Sequence, residues 1–163
     1  MAIQARNGCE QSFIELSDAL KTRLYRTTLG ILQEETLALE AVSETVYRAY
    51  KNIKTLREPK YIVTWFTRIA INTANTMYKQ RKREQVSHIV IQETISISDD
   101  YSHIHFNDLI TSLSLELKEV VSLKYFSDFT TADIAQILNI PEGTVKSRLN
   151  RALKQLRLEV MNE

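Results

Sequence analysis

Thr130-Thr131-Ala132-Asp133-Ile134-Ala135-Gln136-Ile137-Leu138-Asn139-Ile140-Pro141-Glu142-Gly143-Thr144-Val145 is the stretch on which the fold turns. Thr130 followed by Asp133 is a capping-box pattern, in which hydroxyl and carboxylate each accept from a backbone N–H that a helix start leaves unpaired. Ile134, Ile137 and Leu138 give the short helix one apolar face. Asn139 tolerates the left-handed conformation that ends a helix. Ile140 is a candidate core plug in the turn, and Pro141 suits the entry to a second helix. Two helices joined so tightly predict a helix-turn-helix.

The second helix is expected from Glu142 to about Val160. At about 100° per residue, Val145, Leu149, Ala152, Leu153, Leu156 and Val160 fall within one arc of roughly 100°. Ser147, Asn150, Arg151 and Lys154 point away from it, with Thr144 and Lys146 on its shoulders. Between Pro141 and Arg157 stand five basic residues and one acidic. An apolar back with a basic, hydrogen-bonding front has the chemistry for a DNA major groove, because Arg and Lys reach guanine edges or phosphates. The N-terminal part of such a helix meets the bases, which selects Thr144, Lys146, Ser147, Arg148 and Arg151. A solvated cationic face on an ordinary helical hairpin is the plainer alternative.

Working outward, the composition is that of an all-helical chain. The 163 residues include only 3 Gly and 2 Pro, with 44% hydrophobic and 25% charged, so few breakers are present for hairpins. Phe13 to Leu32 reads as a helix with Phe13, Leu16, Leu20, Leu24 and Leu29 inward. Glu35 to Tyr50 reads as a second, with Leu39, Val42, Val46 and Tyr50 on one face. Pro59 disfavours helix just before it; helix resumes near Tyr61 and runs to about Arg83. Its inward stripe is Ile62, Trp65 or Phe66, Ile69 or Ala70, Thr73 and Met77. Asn107 to Phe126 reads as one amphipathic helix through Leu109, Leu113, Leu117, Val120, Val121 and Tyr125. The C-terminal core is small enough to need help from a partner.

The net charge is +1, so no global field marks a nucleic-acid partner. The distribution is more telling. Gln85 to Leu117 lacks Lys and Arg but carries Glu93, Asp99, Asp100, Asp108, Glu116 and the histidines His88, His103 and His105. Basic clusters flank it, from Lys79 to Arg83 and from Lys146 to Arg157. Val86 to Asp108 is read as an extended acidic linker, although His88 to Ile91 and Ile95 to Ser98 would also suit a short strand pair. The predicted fold is therefore all-α: two small helical domains, 1–84 and 107–163, joined by a linker at 85–106.

Cys9 is the single cysteine, which excludes an intrachain disulfide and suits a reducing compartment. Met1 to Glu10 lacks the apolar core of a signal peptide, and no apolar run approaches the roughly 20 residues that span a bilayer. A cytoplasmic protein is expected. His103-x-His105 near Asp99, Asp100 and Asp108 is the one metal-like cluster, without a helical HExxH or cysteine pair beside it. With no phosphate-binding Gly loop and no framed nucleophile, neither an enzyme nor a cofactor or metal site is expected.

The segment Ile140 to Ala152 resembles the −35-reading helix of extracytoplasmic-function (ECF) sigma factors, group IV of the sigma factors of bacterial RNA polymerase. Leu117-Lys118-Glu119-Val120-Val121-Ser122-Leu123-Lys124-Tyr125-Phe126 is similar to the helix before it in that family. Ala38 to Tyr50 resembles the polymerase-binding helix, and Thr64-Trp65-Phe66-Thr67-Arg68-Ile69-Ala70-Ile71-Asn72 the helix that helps open the −10 element. The similarities cover nearly the whole chain in the right order. Glu40 and Ser43 stand where the family often has Asp and Gln. Asn75 and Thr76 stand where an acidic residue is common.

This resemblance implies a sigma subunit that binds RNA polymerase core through its clamp and flap regions, with Glu40, Ser43 and Glu44 as contacts. It implies promoter DNA as the second partner, read as duplex at −35 and captured as single strand at −10. Unstacking a base costs a few kcal/mol. The Asn52 to Tyr61 loop would pocket an extruded base, with Arg57, Lys60, Trp65, Arg68, Asn72 and Lys79 along the strand. Trp65 suits the core as well as stacking, and Lys79 to Arg83 suits a solvated helix end as well as phosphates. The acidic linker would thread the polymerase's basic RNA path or simply keep the chain soluble. An anti-sigma factor, often membrane-bound, is a further implied partner; no small-molecule substrate is. A conventional helix-turn-helix regulator binding duplex DNA unaided is the rival class.

Overall fold

The computed structural model describes residues 1–89 and 110–161. Helix α1 (Ala2–Arg6) is short and turns at Gly8, whose φ of 97° suits a residue without a Cβ. Helix α2 (Glu10–Leu32) ends on Gln33 in the left-handed conformation, its N–H returning to the Leu29 carbonyl at 2.8 Å. Helix α3 (Glu35–Asn52) follows, then two 3-10 turns, Ile53–Thr55 and Pro59–Tyr61, and helix α4 (Ile62–Ile89). The C-terminal half has α5 (Leu115–Val121), a π-helical turn (Ser122–Phe126), α6 (Thr131–Leu138) and α7 (Glu142–Met161). No strand occurs among the described residues.

The first core packs α2, α3 and α4 together. Phe13, Leu16, Leu20 and Leu24 meet Val42 and Ala49 of α3 and Phe66 and Ala70 of α4, with Ile53 and Leu56 closing one end. The Phe13 ring lies 5.9 Å from Phe66 and edge-on to Tyr50 at 5.2 Å, geometries that aromatic quadrupoles favour. A second core joins the two halves. Ile31 and Leu32 of α2, Ala41 of α3, and Ile71 and Ala74 of α4 pack with Val120, Leu123, Phe129, Ile134, Ile137, Val145 and Leu149. The small C-terminal core is thus completed by the N-terminal half. A third cluster, Leu113, Leu117, Val121 and Ala152, fixes α5 on α7.

The helix-turn-helix forms as its residues dictate. Asp133 N–H donates to Thr130 Oγ1 and Thr130 N–H to Asp133 Oδ2, both at 3.1 Å, and Asn139 ends α6 at φ 55°. The Pro141 carbonyl accepts from Thr144 at 2.9 Å, opening α7.

Four expectations need correction. In α3 the buried residues are Ala38, Ala41, Val42, Thr45 and Ala49, whereas Leu39 is 55% and Tyr50 52% exposed. The helix turns its small side chains inward, which lets α2 and α4 approach closely. Helix α4 runs to Ile89 rather than about Arg83, so His88 and Ile89 are helical; the rest of the linker and the proposed strand pair lie outside the described residues. The expected helix from Asn107 to Phe126 is broken. Residues 110–111 are helical, Ser114 is extended (φ −62°, ψ 155°) ahead of α5, and a π turn replaces the last α turn. Serines at 112 and 114 compete for backbone hydrogen bonds and weaken a helix interior there. The Ser112 carbonyl accepts instead from Gln155 Nε2 at 3.4 Å. Finally, the apolar back of α7 is covered only in part: Leu153 is 40% and Val160 58% exposed, whereas Val145, Leu149 and Ala152 are buried and Leu156 is packed on the α5 cluster.

Candidate nucleic-acid interface

Val145, Leu149 and Ala152 anchor α7 in the core and thereby aim its other face outward. Lys146, Ser147, Asn150, Arg151 and Lys154 are exposed on that front, with Thr144 half-buried at its edge. Ser147 Oγ donates to the Thr144 carbonyl at 2.9 Å. Lys146 lies 3.0 Å from Glu142, which also accepts from Thr131 at 2.9 Å. Those two donors hold the Glu142 carboxyl below the usual carboxylate range. Arg148 is set apart from the other expected contacts, Thr144, Lys146, Ser147 and Arg151: its guanidinium is half-buried and paired with Glu116 of α5 at 3.0 Å.

A cleft of about 680 Å³ lies beside the two 3-10 turns, lined by Arg57, Glu58, Tyr61, Trp65 and Arg68, with Gln136 and Asn139 on the far side. Trp65 does two jobs here. It packs edge-on against Phe66 at 5.5 Å and against the first core while leaving part of its ring on the cleft. Lys60 is exposed and stacks over Tyr61 at 4.9 Å. Asn72 is exposed one turn beyond Arg68, and Lys79 is exposed two turns further along α4. The resemblance singled out the Asn52 to Tyr61 loop, Trp65 and Arg68; it missed Gln136 and Asn139, since only tertiary packing brings α6 to this edge.

Glu40, Ser43 and Glu44 share one surface of α3 with Met77 of α4 beside them. Glu44 pairs with Arg48 at 2.6 Å and Ser43 Oγ donates to the Leu39 carbonyl at 3.0 Å. Leu39 and Tyr47, both more than half exposed, fall on the same face by i, i+4, i+8 spacing through Ser43. Only packing reveals this uncovered apolar pair, because it is packing that buries the alanines on the opposite side of the helix.

The halves dock through polar as well as apolar contacts. Arg68 Nε donates to the Ile137 carbonyl at 3.1 Å and Nη2 to the Gln136 carbonyl. Thr27 and Ser127 hydroxyls meet at 2.7 Å. Asn75 Nδ2 donates to Glu119 at 2.6 Å. Burial pushes the Glu119 carboxyl above its ordinary range, against the Asn75 hydrogen bond and the Arg148 charge, which lower it. Lys118 is buried with its ammonium 4.9 Å above the Tyr78 ring, a cation–π contact that offsets part of its desolvation. Gly30 permits the closest approach: a Cβ there would lie 2.8 Å from Ser122 Cβ. Among the described residues no cluster of metal-ligating side chains occurs, and no helix is long and apolar enough to cross a membrane. His103 and His105 lie outside them.

Two helical modules, the second presenting a basic helix on a helix-turn-helix, define a class of DNA-binding transcription factor. The family described as Sigma-70 region 2 matches residues 16–84, and Sigma-70, region 4 matches residues 106–156. The chain belongs to the sigma-70 family, in its extracytoplasmic-function branch. It is 29% identical to RNA polymerase sigma factor SigV of Bacillus subtilis, over 88% of this chain and 87% of that one. It is 27% identical to ECF RNA polymerase sigma factor SigW of the same organism, over 96% and 93%. The fold is shared with CnrH, solved in complex with the cytosolic domain of CnrY (TM-score 0.78, 18% identity, 99% and 96% covered). It is shared also with the Bartonella quintana sigma factor RpoE, solved with the anti-sigma factor NepR (TM-score 0.75, 22% identity, 93% and 98%).

Proposed function

We propose that this protein is the sigma subunit that brings RNA polymerase core to a promoter, reading −35 duplex with α7 and capturing the −10 strand beside the loop of residues 53–61. The observation that carries the reading is the front of α7. Val145, Leu149 and Ala152 are locked in the core while Lys146, Ser147, Asn150, Arg151 and Lys154 stand free of it, the display a major groove requires. Arg57, Trp65, Arg68 and Asn72 then meet the −10 strand, with Lys60 and Lys79 against phosphates, an attraction that weakens with salt. Glu40, Ser43 and Glu44, flanked by exposed Leu39 and Tyr47, face the polymerase clamp. The chain performs no bond chemistry; contacts to polymerase and to two DNA elements offset the cost of melting. It works in the cytoplasm.

In the docked chain Arg68 is committed to the carbonyls of α6, so engagement of both elements requires the halves to part. An anti-sigma factor, as NepR is to the Bartonella quintana sigma factor, would act by opposing that separation or by covering α3. Transcription by core polymerase with and without the protein, on DNA from its own locus, is the test. A discrete transcript is expected only with both. Arg151→Ala should lower it about five-fold or more, the effect of losing one base contact of about 1–3 kcal/mol. Specific duplex binding by the protein alone, with no transcript, would mark a conventional regulator instead.

A further inference from the structure

Residues 1–15 precede the part of the chain that matches Sigma-70 region 2, yet α1 is built into the fold. Gly8 reverses the chain, and the N–H groups of Gly8 and Cys9 donate to the carbonyls of Ala5 at 3.0 Å and Gln4 at 2.9 Å. This folds α1 back along α2. Ala5, 2% exposed, joins the core that also holds Ile53 and Leu56. From that position Arg6 Nη1 donates to the carbonyl of Arg57 at 3.1 Å. Arg57 lies between the two 3-10 turns, where Leu56 and Glu58 are extended (ψ 108° and 112°). Carbonyls in such a link lie outside any helix ladder and are open to a side-chain donor or to water. The same link lines the cleft beside Trp65 and Arg68.

We propose that α1 is a brace for the reading loop. Arg6, aimed by the Gly8 turn, pins the Arg57 backbone and so sets the shape of the cleft that receives an extruded −10 base. The idea rests on the sigma reading above and extends it to a segment that neither matched region includes. Arg6 is a positioning residue: it acts through the loop and does not itself touch the base. A surface hydrogen bond adds little to global stability, but a cleft that discriminates bases depends on small displacements of its walls.

The experiment compares wild type, Arg6→Ala, Arg6→Lys and Gly8→Val in core-dependent transcription from the cognate promoter and from single-base variants of its −10 and −35 elements. Thermal midpoints are measured in parallel. Gly8→Val keeps Arg6 but disfavours the turn, since φ of 97° is strained for a β-branched residue although a Cβ has open space there. Arg6→Ala and Gly8→Val are each expected to lower discrimination at −10 about three-fold, with −35 discrimination unchanged and Arg6→Lys recovering most of the loss. A uniform fall on every promoter would mean a lost phosphate attraction and would overturn the brace. So would equal loss of −10 and −35 discrimination tracking the thermal midpoint, or unchanged discrimination in both variants. Absence of a core-dependent transcript with wild type overturns the sigma reading itself, and the brace with it, before any variant is compared.

Discussion

Arg68 and Glu119 show how single side chains take their roles from where the halves meet. Arg68 lines the cleft yet spends its donors on the Gln136 and Ile137 carbonyls, so a residue proposed to meet the −10 strand also holds the docked form. Glu119 accepts from Asn75 in a site whose burial disfavours its charge, with Glu116 adding repulsion and Arg148 and Lys79 opposing it. A carboxyl whose pKa is raised by docking favours the docked form at pH below its free value, and that advantage disappears as pH rises through the docked value. The docked form should therefore loosen as pH climbs out of the carboxylate range. Glu119→Gln should flatten the dependence and dock at least as firmly at neutral pH. Hydrogen exchange at Val120 to Leu123 across pH is the measurement; parallel profiles for wild type and variant would refute the assignment.

At the scale of elements, the helix-turn-helix was legible because its signals are local. A capping box, an apolar face of three residues, an asparagine at the turn and a proline ahead of α7 act within a few residues of one another. The same locality makes the consequence calculable. Thr130→Ala removes a hydroxyl that caps α6 and should cost about 1 kcal/mol, read as a lower denaturant midpoint with an unchanged slope. No loss would show that water replaces the cap fully. Helix α3 was less legible. Its large residues Leu39 and Tyr50 suggested the buried face, but the close approach of α2 and α4 selects Ala38, Ala41, Thr45 and Ala49 beside Val42, leaving Leu39 for solvent or a partner and Tyr50 half exposed at the edge of Phe13. Periodicity alone leaves the choice between the two faces open when one is large and the other small. In the segment before the π turn, helix periodicity concealed the break at Ser112 to Ser114.

For the whole molecule, the governing feature is a core shared by two modules. Val120, Leu123, Ile134 and Val145 are fully buried against residues of α2, α3 and α4, while Asn75 and Ser122, which lie where the two halves meet, each leave a polar atom buried without a partner. Such atoms cost about 1–3 kcal/mol apiece, so the docking is opposed by its own polar groups and is suited to opening. Gly30→Ala tests this. In isolation the change favours helix α2 by about 1 kcal/mol, but its methyl would collide with Ser122. Scattering should show an expanded chain of unchanged helix content; an equally compact variant would mean that the π turn yields without parting the halves.

By itself the sequence determined the all-helical class, the helix-turn-helix with its caps, the basic front of α7 and the family resemblance. These depend on residue type and on spacing within a turn or two of helix. Only the tertiary structure decided that the halves dock, that Arg68 reaches α6, that Arg148 turns to Glu116, that α3 buries its alanines and that Arg6 meets Arg57. Those contacts join residues far apart in the chain, 51 positions for Arg6 and Arg57 and 100 for Thr27 and Ser127, or select between two faces of one helix, and both are settled by how side-chain volumes fill a common interior.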